Sequence, residues 1–167
     1  MGVNDNLIED YRNVITNQLL SNKLIVDIIG NGKYGVNDEN LISSDELLWQ
    51  KVFPLQFVPY TVTDTDTYIF YDIEETASTT NTSYVTLNIV FWLITHKDFQ
   101  KYNGRLRLDI LSHELKNIMR HNCKLGLSKN HFIYNKLLST GLYDYTGRTI
   151  AFSVTDFNDK LRYGEIK

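Results

Sequence analysis

The stretch from Thr67 to Thr95 leaves this chain few folds to choose from. Thr67 to Glu74 alternates, with Ile69, Tyr71 and Ile73 on one face and Tyr68, Phe70 and Asp72 on the other. Tyr84 to Thr95 alternates again, with Val85, Leu87, Ile89, Phe91 and Leu93 on one face. Its second face is wet at Tyr84, Thr86 and Asn88 and turns apolar at Val90, Trp92 and Ile94. Glu75 to Ser83, between the two runs, is Thr, Ser, Asn and Ala after its first residue, a composition that predicts a solvent-facing hairpin tip. Two long runs of β-branched and aromatic residues joined in this way demand an antiparallel sheet with a buried face, and the rest of the chain must cover that face.

The cover is helical. Asn4 and Asp5 are caps for a helix from about Asn6 to Leu20, whose buried stripe is Leu7, Ile8, Tyr11, Ile15 and Leu19, with Asn22 as its stop. Leu24 to Ile29 is an apolar run too short for periodicity to separate strand from helix, and Gly30-Asn31-Gly32 ends it and opens a loop to about residue 40. Ser43 or Ser44 starts a short helix through Leu47, Leu48 and Trp49 that Pro54 stops. Phe53-Pro54 and Val58-Pro59 bracket an extended segment, because a residue before proline is pushed out of the helical region. After Asn103-Gly104 a helix is expected from about Arg105 to His121, with Leu108, Leu111, Leu115 and Ile118 as its stripe and Met119 beside it. His131 to Ser139 and Arg148 to Phe157 form a second strand pair, joined through Tyr143 to Gly147. The expectation is an α+β domain spanning 1–167, with 158–167 a frayed tail. Its antiparallel sheet has about four strands in two hairpins, and the long helix and N-terminal helices pack on one face and leave the other free.

The residues offer little chemistry. His113-Glu114 lacks the second histidine of a helical zinc motif, since Asn117 stands there and His121 lies about 12 Å along the axis. Gly30 to Gly35 lacks the Gly-Lys-Ser/Thr ending of a phosphate loop, and Asp64-Thr65-Asp66 lacks calcium-loop spacing. His96-Lys97-Asp98 closes the best strand with no nucleophile near it in sequence, which makes it a turn. Cys123 is the single cysteine, so no intrachain disulfide forms. The net charge is −3, and no Lys/Arg cluster extends beyond Arg105 to Arg107, so a general grip on phosphate is not supported. No apolar run reaches membrane length, and Met1 to Asp5 does not open a signal peptide. No catalytic, cofactor-binding or metal residue is expected, and the chain reads as a non-enzyme without cofactor. Eleven tyrosines suit contact surfaces instead.

The layout of nearly the whole chain resembles the tail-terminator proteins of long-tailed bacteriophages, small α+β proteins that form a ring where the tail tube meets the neck. The resemblance is carried by the helices before Phe53-Pro54, by Tyr68 to Ile73, and by the polar hairpin and the strand reaching Thr95 to Asp98. Gly104 to Asp109 at the start of the long helix, Tyr145 to Arg148, and Phe152 to Phe157 complete it. It implies a structural virion protein of the tail or neck, assembled in the host cytoplasm, that caps the tail tube as a homohexameric ring. Its partners would be other copies of itself, the tail tube protein and a neck or head-completion protein, with DNA passing the lumen unbound. The hairpin tip (Glu75, Thr76, Ser78, Thr79, Thr80, Asn81, Thr82) is the expected contact with a neighbour or the tube. Arg105, Arg107 and Asp109 are expected to make charged contacts between subunits, against the alternative of a solvated first helical turn. The other functional readings are a different neck, tail-completion or head-closure protein, or a stand-alone protein-binding module.

Overall fold

The computed structural model describes residues 4–59, 62, 64–76, 83–121, 124–127 and 130–157. Helix α1 (Asn4–Ser21) buries Leu7, Tyr11, Ile15 and Leu19, a spacing of four that keeps one face on the core. Asn22 then does two things. It ends α1 and caps helix α2 (Lys23–Ile29), its Oδ1 accepting from the Ile25 amide at 3.1 Å. The ambiguous run is thus a helix, and Ile25, Val26, Ile28 and Ile29 are wholly buried. The turn after it is left-handed at Asn31 (φ 51°) and Gly32 (φ 74°). Strands β1 (Tyr34–Gly35) and β2 (Ile42–Ser43) form a small parallel pair inside the expected loop, and Ser43 caps a single 3-10 turn at Ser44–Leu47.

The main sheet contains β3 (Val52–Phe53), β4 (Thr67–Thr76), β5 (Tyr84–His96), β8 (His131–Leu138) and β9 (Tyr145–Phe157), in the order β3-β4-β5-β9-β8. The α+β class and the four long antiparallel strands are as the sequence indicates. The fifth strand, β3, corrects the strand count. It pairs parallel to β4 through Val52↔Ile69 and Phe53↔Phe70, so the sheet is mixed. Strand β5 is central and pairs with β9 over its full length, from Tyr84↔Phe157 to His96↔Tyr145. Strand β9 begins three residues earlier than expected because the chain reverses before Tyr145, not after it. Gly147 lies inside the strand, where a Cβ would meet Leu138 and Thr140 side chains at 3.0 Å. It is a close-approach glycine and not a turn glycine.

Helix α3 (Arg107–His121) also starts later than expected. Asn103 (φ 49°) and Gly104 (φ 78°) form the two-residue turn of a hairpin between β6 (Lys101–Tyr102) and β7 (Arg105–Leu106), which draws Arg105 and Leu106 out of the helix. The α3 stripe is Leu108, Leu111, Leu115 and Met119, with Ile118 half-buried beside it. It packs with α1 and α2 on the face of the sheet carrying Ile69, Tyr71, Ile89, Phe91, Ile150 and Phe152.

The opposite face is not free throughout, which corrects the second expectation about the sheet. The extended proline-bracketed segment crosses one end of it. Tyr68, Phe70 and Ile94 are buried there against Phe53, Leu55, Phe57 and Val62. Phe53 stacks on Phe70 at 4.8 Å, and Phe57 meets Phe70 edge-on at 5.2 Å. That aromatic cover explains why the second face of β5 changes from polar to apolar along its length.

Candidate functional site

The β4–β5 hairpin is paired without interruption from Thr67↔Thr95 to Thr76↔Thr86. Glu75 and Thr76 are exposed at its far end, where Thr76 Oγ1 accepts from Asn88 Nδ2 at 3.0 Å. Ser78, Thr79, Thr80, Asn81 and Thr82 lie outside the described residues. Next to this end, on β5 and β9, Tyr84 and Phe157 stack at 5.4 Å with both rings partly open to solvent.

The other end of the sheet carries a more distinctive surface. The β6–β7 turn thrusts Leu106 outward, and edge strand β8 presents Leu137, which is 80% exposed. These two side chains, with Leu108, Gly147 and Arg148, line a groove of about 200 Å³. The groove continues through Leu137, Thr146 and Gly147 into a shallow depression of about 550 Å³ under Leu142, Tyr143 and Tyr145. Tyr143 is completely exposed, yet its loop is held. Thr140 Oγ1 lies 3.1 Å from the carbonyl oxygens of Leu142 and Tyr145, Lys97 N donates to Asp144 O at 2.8 Å, and Tyr145 OH donates to Asp64 O at 2.6 Å. Lys97 Nζ also pairs with Asp144 at 2.6 Å, which raises the lysine's pKa. Desolvation pushes the Tyr145 hydroxyl up in pKa, with nearby Asp64 adding to the shift. Tyr143 thus joins Leu106 and Leu137 as a large apolar side chain left exposed on a braced backbone.

The rim of that groove is charged. Asp109 Oδ1 and Arg148 Nη2, both lining it, pair at 2.7 Å. Being largely solvated, the pair contributes at most about 1 kcal/mol to stability. Of the three charged residues singled out from the sequence, Asp109 alone lines the groove, while Arg105 is exposed on β7 outside its lining. Arg107 faces inward. Its Nη1 donates to Ile28 O at 2.7 Å and to Asn31 Oδ1 at 2.8 Å, and its Nε donates to Lys101 O at 3.3 Å. Phe99 and Tyr102 flank the guanidinium, their ring centres 5.2 and 5.8 Å away. Burial lowers its pKa and the charge of Asp66 opposes the shift.

Other polar residues noted in the sequence hold the fold together. Asp66 accepts from Asn31 Nδ2 at 2.9 Å and from the Thr67 amide at 2.8 Å, and pairs with Lys51. Glu114 accepts from Asn22 Nδ2 at 2.8 Å, tying α3 to the α1–α2 corner. His121 Nδ1 lies 2.8 Å from Asn117 O. Among the described residues no group of three or more His, Cys, Asp or Glu is placed to hold a metal ion, and no helix is long and apolar enough to cross a membrane.

A family model described as YomW matches residues 22–154, four-fifths of the chain. The chain belongs to the YomW family. Membership associates it with bacteriophages. The match runs from Asn22, the cap of α2, to Val154 in β9, so it takes in the groove, its charged rim and Arg107. No curated protein matches this YomW-family chain. Leu106, Leu137 and Tyr143 carry no signal in the sequence. They come from a turn-displaced residue, a strand edge and a loop, and only the fold gathers them.

Proposed function

We propose that this YomW-family protein is a non-catalytic virion component, a tail-terminator subunit that closes into a ring at the top of the tail tube and joins it to the neck. Three things support the reading. The family is phage-associated, the layout of the chain resembles that of tail terminators, and the molecule has two dissimilar candidate contact surfaces at opposite ends of its sheet. A groove and a hairpin at opposite ends suit head-to-tail contacts between copies, which close into a ring when the rotation between neighbours allows. The observation that carries the proposal is the groove, where Leu106, Leu137 and Tyr143 stay exposed on fixed backbone with the Asp109–Arg148 pair beside them. In this role the hairpin tip reaches a neighbour or the tube, and the mildly acidic ring passes DNA without holding it.

The test uses two variants of the full chain. Leu137→Glu puts a charge at the groove centre, and deletion of residues 76–82 shortens the hairpin. Both are expected to keep the circular dichroism spectrum of the parent and to lose assembly, measured by sedimentation. Unchanged assembly in both variants contradicts the proposal.

A further inference from the structure

The first turn of α3 divides its side chains. Leu108 and Asp109 line the groove described above, while Arg107 turns to a separate cleft of about 690 Å³ between α2, the 32–41 loop and the β6–β7 hairpin. Arg107 is 7% exposed, and no carboxylate among the described residues stands within 4.0 Å of it. Asp66 acts on it only through space, its own oxygens being taken by Asn31, Lys51 and the Thr67 amide. A guanidinium carries five N–H donors. The acceptors Ile28 O, Asn31 Oδ1 and Lys101 O, with Thr67 Oγ1 at 3.4 Å, engage Nη1 and Nε. Nη2 has no partner among the described residues, yet it is not among the atoms sealed from solvent without a bond. A buried guanidinium held by neutral acceptors keeps a net positive field at its open side, and Nη2 is the donor left to a ligand there.

We infer that the cleft is a carboxylate-binding site, in which Arg107 Nη2 receives the acidic side chain of a protein partner. The lining can accommodate this chemistry. Val36 and Leu41 offer apolar wall to the methylenes of a glutamate, and Lys23 adds a second cation at the cleft. Asp27 and Asp38 also line it, and their charges disfavour a phosphate or a polyanion more than a singly charged carboxylate. The site does not depend on the ring reading, because any partner with an exposed Asp or Glu can fill it.

The experiment follows the guanidinium resonances of Arg107 in the isotope-labelled full chain during titration with doubly capped glutamate. Doubly capped glutamine and inorganic phosphate are run in parallel. A saturable shift with a dissociation constant of roughly 1–10 mM is expected for the glutamate probe, with none for glutamine. Lys23→Glu, which leaves every contact of Arg107 in place, is expected to weaken glutamate binding by about threefold or more. The inference is overturned by the absence of a saturable shift, by an equal response to glutamine, by phosphate binding as tightly as glutamate, or by indifference to Lys23→Glu.

Discussion

Tyr71 shows how one side chain links helix to sheet. Its ring lies in the core 5.7 Å from that of Phe91, while its hydroxyl donates to Arg12 O at 2.9 Å and shares a 2.6 Å hydrogen bond with Thr16 Oγ1. Desolvation pushes its pKa up, and the Thr16 hydrogen bond offsets only part of that. Tyr68 shifts upward as well, again chiefly by burial. The neutral form is thus favoured in the native state. Stability from these groups is fully present below the unfolded tyrosine value of about 10 and is lost as pH rises above it toward the native values. The melting temperature is expected to fall between about pH 9.5 and 11, and more gently in Tyr71→Phe, which cannot ionise at that position. A slope identical in the two proteins by differential scanning calorimetry contradicts this assignment. The residue scale is also where the sequence is least informative about Arg107. Its position beside Arg105 and Asp109 suggests a charged surface, whereas the β6–β7 hairpin rotates it into the interior.

At the scale of elements, what is legible follows from how much each element depends on its own residues. Both faces of β4 and β5 can be read from alternation, because each strand spans many residues and one face is wholly buried. The α3 stripe is equally readable. Strand β3 is not, since two residues carry no period and its partners, Ile69 and Phe70, lie seventeen positions further along the chain. The α2 run is ambiguous by periodicity, and the deciding signal is Asn22 three residues before Ile25. That cap is testable. Asn22→Ala removes the side-chain acceptor for the Ile25 amide and the bond to Glu114, and is expected to cost about 1 kcal/mol from the cap. In a chain of this size that corresponds to a melting temperature lower by about 2–4 °C. No change in melting temperature would remove Asn22 from the account of how α2 forms. Asn103-Gly104 is a breaker in the sequence and a hairpin turn in the fold, and the difference moves the start of α3 to Arg107.

For the whole molecule, the helices cover one face of a mixed five-stranded sheet, and an aromatic strap covers one end of the other face. Candidate contacts are left at its two ends. The sequence makes the hairpin end visible through composition and the groove end visible only in Asp109. The apolar centre of the groove escapes it because Leu106, Leu137 and Tyr143 sit in three segments that only topology joins. In the proposed role, copies of this chain join through these surfaces into a closed ring. Light scattering across a concentration series, with the chain alone and mixed with tail tube protein, tests it most directly. One closed species of about six subunits that does not grow with further concentration is expected. A strict monomer under every one of these conditions contradicts it.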